Sequence, residues 1–119
     1  MWQMKPEAEY AKRARSWPKK YRRELAAMHD NLSEYMAALN TGTKVEQIKF
    51  GFMHFEPHGV VAIDQKGGGA GLTQTRLYTF LDHSQKVVHL ITVGDKSTQK
   101  ADIQYCSEFV AEILKPKQN

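Results

Sequence analysis

The feature that most constrains the fold is an apolar stripe that recurs at helical spacing through residues 21–39. Its members lie three or four positions apart: Tyr21, Leu25, Met28, Leu32, Tyr35, Met36 and Leu39. This spacing places them on one side of a helix of about five turns. The run Asn40-Thr41-Gly42 supplies the stop. We expect the stripe to face a sheet, with Arg13, Lys20 and Arg23 in solvent.

A shorter helix is predicted ahead of this one. Pro6 followed by Glu7 suits a first turn, because proline fits there and carboxylates complement the helix dipole. The first helix would run to about Arg15. Ser16-Trp17-Pro18 then breaks it, with Ser16 as a candidate N-cap for the second helix. Residues 6–40 therefore predict a helical hairpin with its basic side outward.

After Gly42 the apolar pattern changes to a period of two, which predicts strands. The four runs are Val45–Glu56, Gly59–Lys66, Thr73–Asp82 and Val87–Val93. Their short connections favour an antiparallel four-stranded meander, with a bulge at Gly51. A last helix is predicted from about Ser97 to Leu114. The expected fold is α+β, with residues 1–119 forming a single domain.

Positive charge is concentrated at the start of the chain. Residues 1–23 hold eight basic and two acidic side chains, whereas residues 24–119 hold nine basic and eleven acidic ones. A basic segment on a near-neutral body indicates an anionic partner, which is a nucleic acid, an acidic protein or a membrane surface. A solvated helix face accounts for the same charges without a partner.

Several classes of protein are not expected from this sequence. No stretch approaches the ~20 apolar residues of a membrane-spanning helix, and the first residues do not resemble a secretory signal. The single cysteine, Cys106, is predicted to be a small buried residue in a reducing, cytoplasmic compartment. His54 and His58 lack a third ligand at a telling spacing, so we expect neither a metal nor a cofactor.

Two places remain as candidates for chemistry. Arg76 alternates with Tyr78 and Phe80, so it shares a strand face with two aromatic rings and needs either a ligand or a carboxylate partner, Asp64 or Glu56. The run 94–97, Gly-Asp-Lys-Ser, joins a strand to a helix. Such a junction is either an anion site or an ordinary turn with Ser97 as N-cap.

These residues carry a family resemblance. The runs 75–82 (TRLYTFLD) and 86–96 (KVVHLITVGDK) resemble the RelE/HigB/ParE superfamily of toxins from bacterial type II toxin–antitoxin modules. The run 94–103 (GDKSTQKADI) is similar to a segment of HigB-like proteins. The resemblance covers roughly residues 16–114 and implies a RelE-like fold. Superfamily members usually open with a short strand, but residues 1–5 show no strand pattern.

The resemblance implies an endoribonuclease that cuts mRNA in the ribosomal A site without a metal, by attack of the ribose 2′-OH on the adjacent phosphate. Such a reaction needs a proton acceptor, a proton donor and cations. The catalytic residues implied are Arg76, Lys96, Tyr105, Lys66 and Asp64. The acceptor stays open between Asp64, His54 and Asp95. The residues implied to hold ribosomal RNA are Arg13, Arg15, Lys19, Lys20, Arg22 and Arg23.

The resemblance also implies a cognate antitoxin protein as a partner, besides the ribosome and its mRNA. Two other functions stay open. ParE-like members share the fold but inhibit DNA gyrase by protein contact, and they need no cluster of arginine, lysine and tyrosine. A non-enzymatic, basic module that binds RNA or protein is the second alternative.

Overall fold

The chain forms an α+β fold of three helices and one five-stranded sheet in the computed structural model, which describes residues 1–116. In chain order the elements are β1 (Gln3–Pro6), α1 (Ala8–Ser16), α2 (Arg22–Asn40), β2 (Met53–Phe55), β3 (Val60–Ile63), β4 (Thr75–Asp82), β5 (Val87–Asp95) and α3 (Gln99–Ile113). The strand order is β1-β5-β4-β3-β2. Strands β2 to β5 pair antiparallel, as predicted, whereas β1 pairs parallel with β5.

The parallel strand β1 makes the prediction of a four-stranded antiparallel sheet wrong. Its four residues are all exposed, so no alternation between buried and exposed positions marks it in the sequence. Backbone hydrogen bonds hold it instead: the Gln3 N–H donates to the Lys86 carbonyl and the Glu7 N–H to the Leu90 carbonyl, both at 2.9 Å. The sheet is therefore mixed, and it begins with a short strand.

The predicted strand Val45–Glu56 is wrong over most of its length. Only Met53–Phe55 is strand, and Val45–Gln47 forms a short 3-10 turn. Gly51 lies in a turn rather than a bulge, and the one irregular register step falls between Tyr78 and Thr79. Ile48 and Phe52 in this segment are buried. Their burial in the core, without strand pairing, accounts for the misleading apolar pattern.

Smaller corrections concern the ends of elements. The strand predicted from Gly59 to Lys66 is confined to β3, β4 starts two residues later than predicted, and β5 extends two residues further, to Asp95. Neither predicted serine cap forms. The Ser16 hydroxyl donates to the Arg13 carbonyl, and Asp95 rather than Ser97 caps the turn Lys96–Thr98 that precedes α3.

The two faces of the sheet carry separate cores. The α2 stripe is buried as predicted, with Met28 and Tyr35 fully buried against Leu77 and its neighbours on the sheet. On the opposite face, Tyr78 and Ile91 pack under α3 through Cys106, which is buried as predicted. Helix α1 is not simply one arm of a hairpin. It lies along β5, where β1 has ended and the strand edge is open.

Candidate functional site at one end of the sheet

One end of the sheet brings together most of the predicted catalytic residues. Strand β3 ends there, β4 begins there, and β5 ends there, because Ile63 pairs with Leu77 and Gly94 pairs with Arg76. Residues that follow β3 and β5 therefore lie near the start of β4. Four of the five predicted catalytic residues are at this end: Asp64, Lys66, Arg76 and Lys96.

Arg76 is paired with Glu56 rather than with Asp64. Its Nη1 atom donates to Oε1 of Glu56 at 3.1 Å, and the two side chains are only 14% and 13% exposed. The pair joins β4 to the end of β2 across the intervening β3. The Arg76 Nε–H is buried and has no hydrogen-bond partner among the described residues. The guanidinium is thus only partly satisfied.

His54 and Asp64 form a hydrogen-bonded pair beside this cluster. The His54 Nε2 lies 2.7 Å from Oδ2 of Asp64, and the Lys66 N–H donates to Oδ1 at 2.8 Å. Both carboxylate oxygens are therefore engaged, and Asp64 is buried. Asp64 cannot touch a substrate directly, but it can fix the tautomer and orientation of His54. The imidazole, 29% exposed, keeps Nδ1 for an external proton.

Two lysines add positive charge at this end. The Lys66 ammonium donates to the Gly51 carbonyl at 2.9 Å and lies 3.8 Å from Oδ2 of Asp64, yet its side chain is 62% exposed. Lys96 is exposed in the turn directly after β5. Both ammonium groups are therefore accessible to an anion that reaches Arg76.

Asp95 is a helix cap rather than a candidate base. Its carboxylate accepts hydrogen bonds from the hydroxyls of Tyr21 and Ser97, each at 2.6 Å, and from the Ser97 backbone N–H at 2.9 Å. The hydrogen bonds from Ser97 and Tyr21 hold the pKa of Asp95 below its ordinary value. A carboxylate bound in this way is a weak proton acceptor. Of the three acceptors left open by the sequence, His54 fits the geometry best.

Tyr105 does not join the cluster. It is 40% exposed on α3, and the charged groups that influence its hydroxyl most are Glu9 and Arg13, on α1. Burial is the main reason that its pKa is raised. The structure therefore separates Tyr105 from Arg76, with which the resemblance had grouped it.

Arg13 has a structural role, and the prediction that it stays in solvent is wrong. Its Nη1 donates to Oδ1 of the buried Asp102 at 2.8 Å and to the Val93 carbonyl at 2.9 Å. Its Nε donates to Glu9 at 3.0 Å. Arg13 thereby ties α1 to the open edge of β5 and to α3. Its charge is compensated, which leaves little for an external anion.

The other predicted RNA-binding cations are exposed. Lys19, Lys20, Arg22 and Arg23 line a groove of about 390 Å³ together with Gly71 and Leu72, and Arg15 is exposed on α1. Arg23 donates to the Ala70 carbonyl at 3.2 Å, and Glu24 accepts from the Thr73 N–H at 2.9 Å. The glycine-rich loop between β3 and β4 is thus pinned to α2. Because this loop lies at the site's end of the sheet, the basic groove does too.

Sequence reasoning missed one polar group. Tyr78 is fully buried, and its hydroxyl has no hydrogen-bond partner among residues 1–116. Burial raises the pKa of Tyr78, and the charges of Arg76 and Glu56 are close enough to influence it. The alternation of Arg76 with Tyr78 on one strand face was visible in the sequence, but the lack of a partner was not.

Two searches of the described residues complete the picture of the site. Nowhere in residues 1–116 do three His, Cys, Asp or Glu side chains form a group that could hold a metal ion. None of the helices in the same range is long and apolar enough to cross a membrane. Comparison with protein-family models, with curated proteins and with solved structures gave no match. Function is therefore argued from the site itself and from the resemblance of its motifs.

Proposed function

We propose that the protein is the toxin of a bacterial type II toxin–antitoxin module and a metal-independent endoribonuclease that cuts mRNA on the ribosome. The observation that carries this proposal is the His54–Asp64 pair, which lies at the same end of the sheet as Arg76. A proton-transfer group beside a phosphate-binding cation is the minimum that this chemistry needs.

The proposed reaction uses the RNA's own nucleophile. Nδ1 of His54 takes the proton of the ribose 2′-OH, whose oxygen bonds to the adjacent phosphorus. The bond from phosphorus to the 5′-oxygen then breaks, and that oxygen gains a proton. The products are a 2′,3′-cyclic phosphate and a 5′-hydroxyl. Asp64 acts as a positioning residue through its hydrogen bond to His54.

Cations balance the charge that develops on the phosphate. Arg76 offers a planar fork that suits phosphate oxygens, and Lys66 and Lys96 add point charges from either side of β4. Lys66 lies nearest to the His54–Asp64 pair, which suits it to protonate the leaving oxygen. The exposed groove lined by Lys19, Lys20, Arg22 and Arg23 would hold ribosomal RNA.

Two features favour this function over gyrase inhibition. Gyrase inhibitors of the superfamily need no clustered cations, whereas three basic side chains meet at one end of this sheet. The short first strand, β1, also agrees with the strand that usually opens members of the superfamily. Tyr105 lies apart from the cluster, so we assign it no part in the reaction.

A cognate antitoxin is part of the proposal. An antitoxin segment with acidic side chains would cover the basic groove, so association should weaken as salt is raised. The test is co-purification with the product of a neighbouring reading frame, followed by affinity measurement at low and high salt. An affinity that does not change with salt would rule out the groove as its binding surface.

The test of the nuclease is cleavage of mRNA on programmed ribosomes, read by primer extension. His54→Asn should lower the cleavage rate by roughly 10²–10⁴, the usual contribution of a positioned acid or base. His58→Asn is the matched control, since His58 is exposed and asparagine tolerates its positive φ of 65°. Equal rates for the His54 variant and the wild type would refute the assignment.

A further inference from the structure

The Arg76–Glu56 pair has a consequence for anions that approach the site. A carboxylate and a phosphate use the same guanidinium donors, so both cannot take the same edge of Arg76. Glu56 holds Nη1 at 3.1 Å, while the remaining Nε–H is buried and without an acceptor in residues 1–116. A phosphate therefore cannot reach the Arg76 fork unless this pair opens.

Glu56 is weakly held apart from this contact. It lies between β2 and the 3-10 turn Pro57–Gly59, and its backbone N–H donates to the Val60 carbonyl at 2.8 Å. Within the described residues, Arg76 is the only hydrogen-bond partner of its side chain. A change of side-chain rotamer is thus enough to release the carboxylate, without any movement of the backbone.

The released Arg76 would find its donors unoccupied. Its Nε–H lacks an acceptor, and the Tyr78 hydroxyl beside it on the same strand face lacks one as well. A buried donor without an acceptor is costly, and an incoming oxyanion relieves that cost. The unbound arrangement is therefore neutral in charge but incompletely hydrogen-bonded.

We propose that Glu56 is an internal competitor for a phosphate site on Arg76, and that the phosphoryl group of the substrate displaces its carboxylate. This inference rests on the proposed function for the identity of the ligand as an RNA phosphodiester. The competitor discriminates between anions. A free anion must displace Glu56 by itself, whereas a phosphodiester in RNA is also held by the exposed basic groove.

The test is titration of the full-length protein with inorganic phosphate, followed through the Arg76 Nε–H signal by NMR. Glu56→Gln removes one negative charge next to the bound anion, which should tighten phosphate binding roughly ten- to a hundredfold at an effective dielectric constant of about 20. Glu46→Gln is the matched control, because Glu46 is exposed and forms no ion pair in residues 1–116. It should leave the affinity unchanged.

Equal phosphate affinity in the wild type and the Glu56→Gln variant would overturn the proposal. A second measurement covers a variant that does not fold: in the wild type, saturation with phosphate should shift the carboxyl ¹³C signal of Glu56. An unchanged signal would overturn the proposal too. If these results hold but mRNA stays intact, the nuclease assignment fails and the competitor stands. Cleavage without any effect of Glu56→Gln gives the reverse.

Discussion

Truncation of Arg76 should damage both stability and catalysis, and the two effects can be separated. Arg76→Ala leaves the Glu56 carboxylate, 13% exposed, without its partner. Breaking a fully buried pair costs about 3–5 kcal/mol, and an exposed pair contributes at most about 1 kcal/mol. For a pair near the buried end of this range we expect a loss of about 2–3 kcal/mol, or a Tm lower by roughly 6–15 °C.

The double variant Arg76→Ala/Glu56→Gln separates the two roles. It removes the stranded charge as well, so thermal unfolding should show that at least half of the lost stability returns. Cleavage on ribosomes should nonetheless stay lower by roughly 10²–10³ in both variants, the scale expected for loss of one preorganised donor. A double variant that regains both stability and cleavage would show that Arg76 is only structural.

Three further predictions concern the surroundings of the site. Lys19→Ala together with Lys20→Ala should lower the slope of log affinity against log salt for RNA by about 1.5 without changing the Tm, since both side chains are exposed. Gly94→Ala should lower stability by about 1–3 kcal/mol in urea unfolding, because a Cβ there would lie 1.8 Å from Oδ2 of Asp102. Asp95 has a folded pKa below its ordinary 3.8, so its ionised form stabilises the fold above that pH, and this stability is lost as the pH falls through the folded pKa. Asp95→Asn should therefore be less stable at neutral pH and lose less stability than the wild type between about pH 5 and about pH 2.

The sequence predicted the parts of the fold that bury a regular face. The α2 stripe is visible because its buried residues recur at helical spacing over the whole element. Strand β1 was invisible because every one of its residues is exposed and only backbone hydrogen bonds define it. The segment before β2 was misread because Ile48 and Phe52 are buried without being paired in the sheet.

The site was predictable in its residue types but not in its pairings. The sequence offered Asp64 and Glu56 equally as partners of Arg76, and only the position of β2 beside β3 decides for Glu56. Arg13 seemed to be one more exposed cation, because nothing local indicates that Asp102, far along the chain, is its partner. Contacts of this kind depend on strand order, which composition and spacing do not encode.

The chemistry of the cut RNA ends tests the central claim most directly. Purified protein, ribosomes and a defined mRNA would be incubated together, and the new ends identified by mass spectrometry. Transfer to the 2′-oxygen predicts a 2′,3′-cyclic phosphate on the upstream fragment and a 5′-hydroxyl on the downstream one, absent with His54→Asn. Intact mRNA, or fragments that carry a 5′-phosphate and a 3′-hydroxyl, would contradict the proposed reaction.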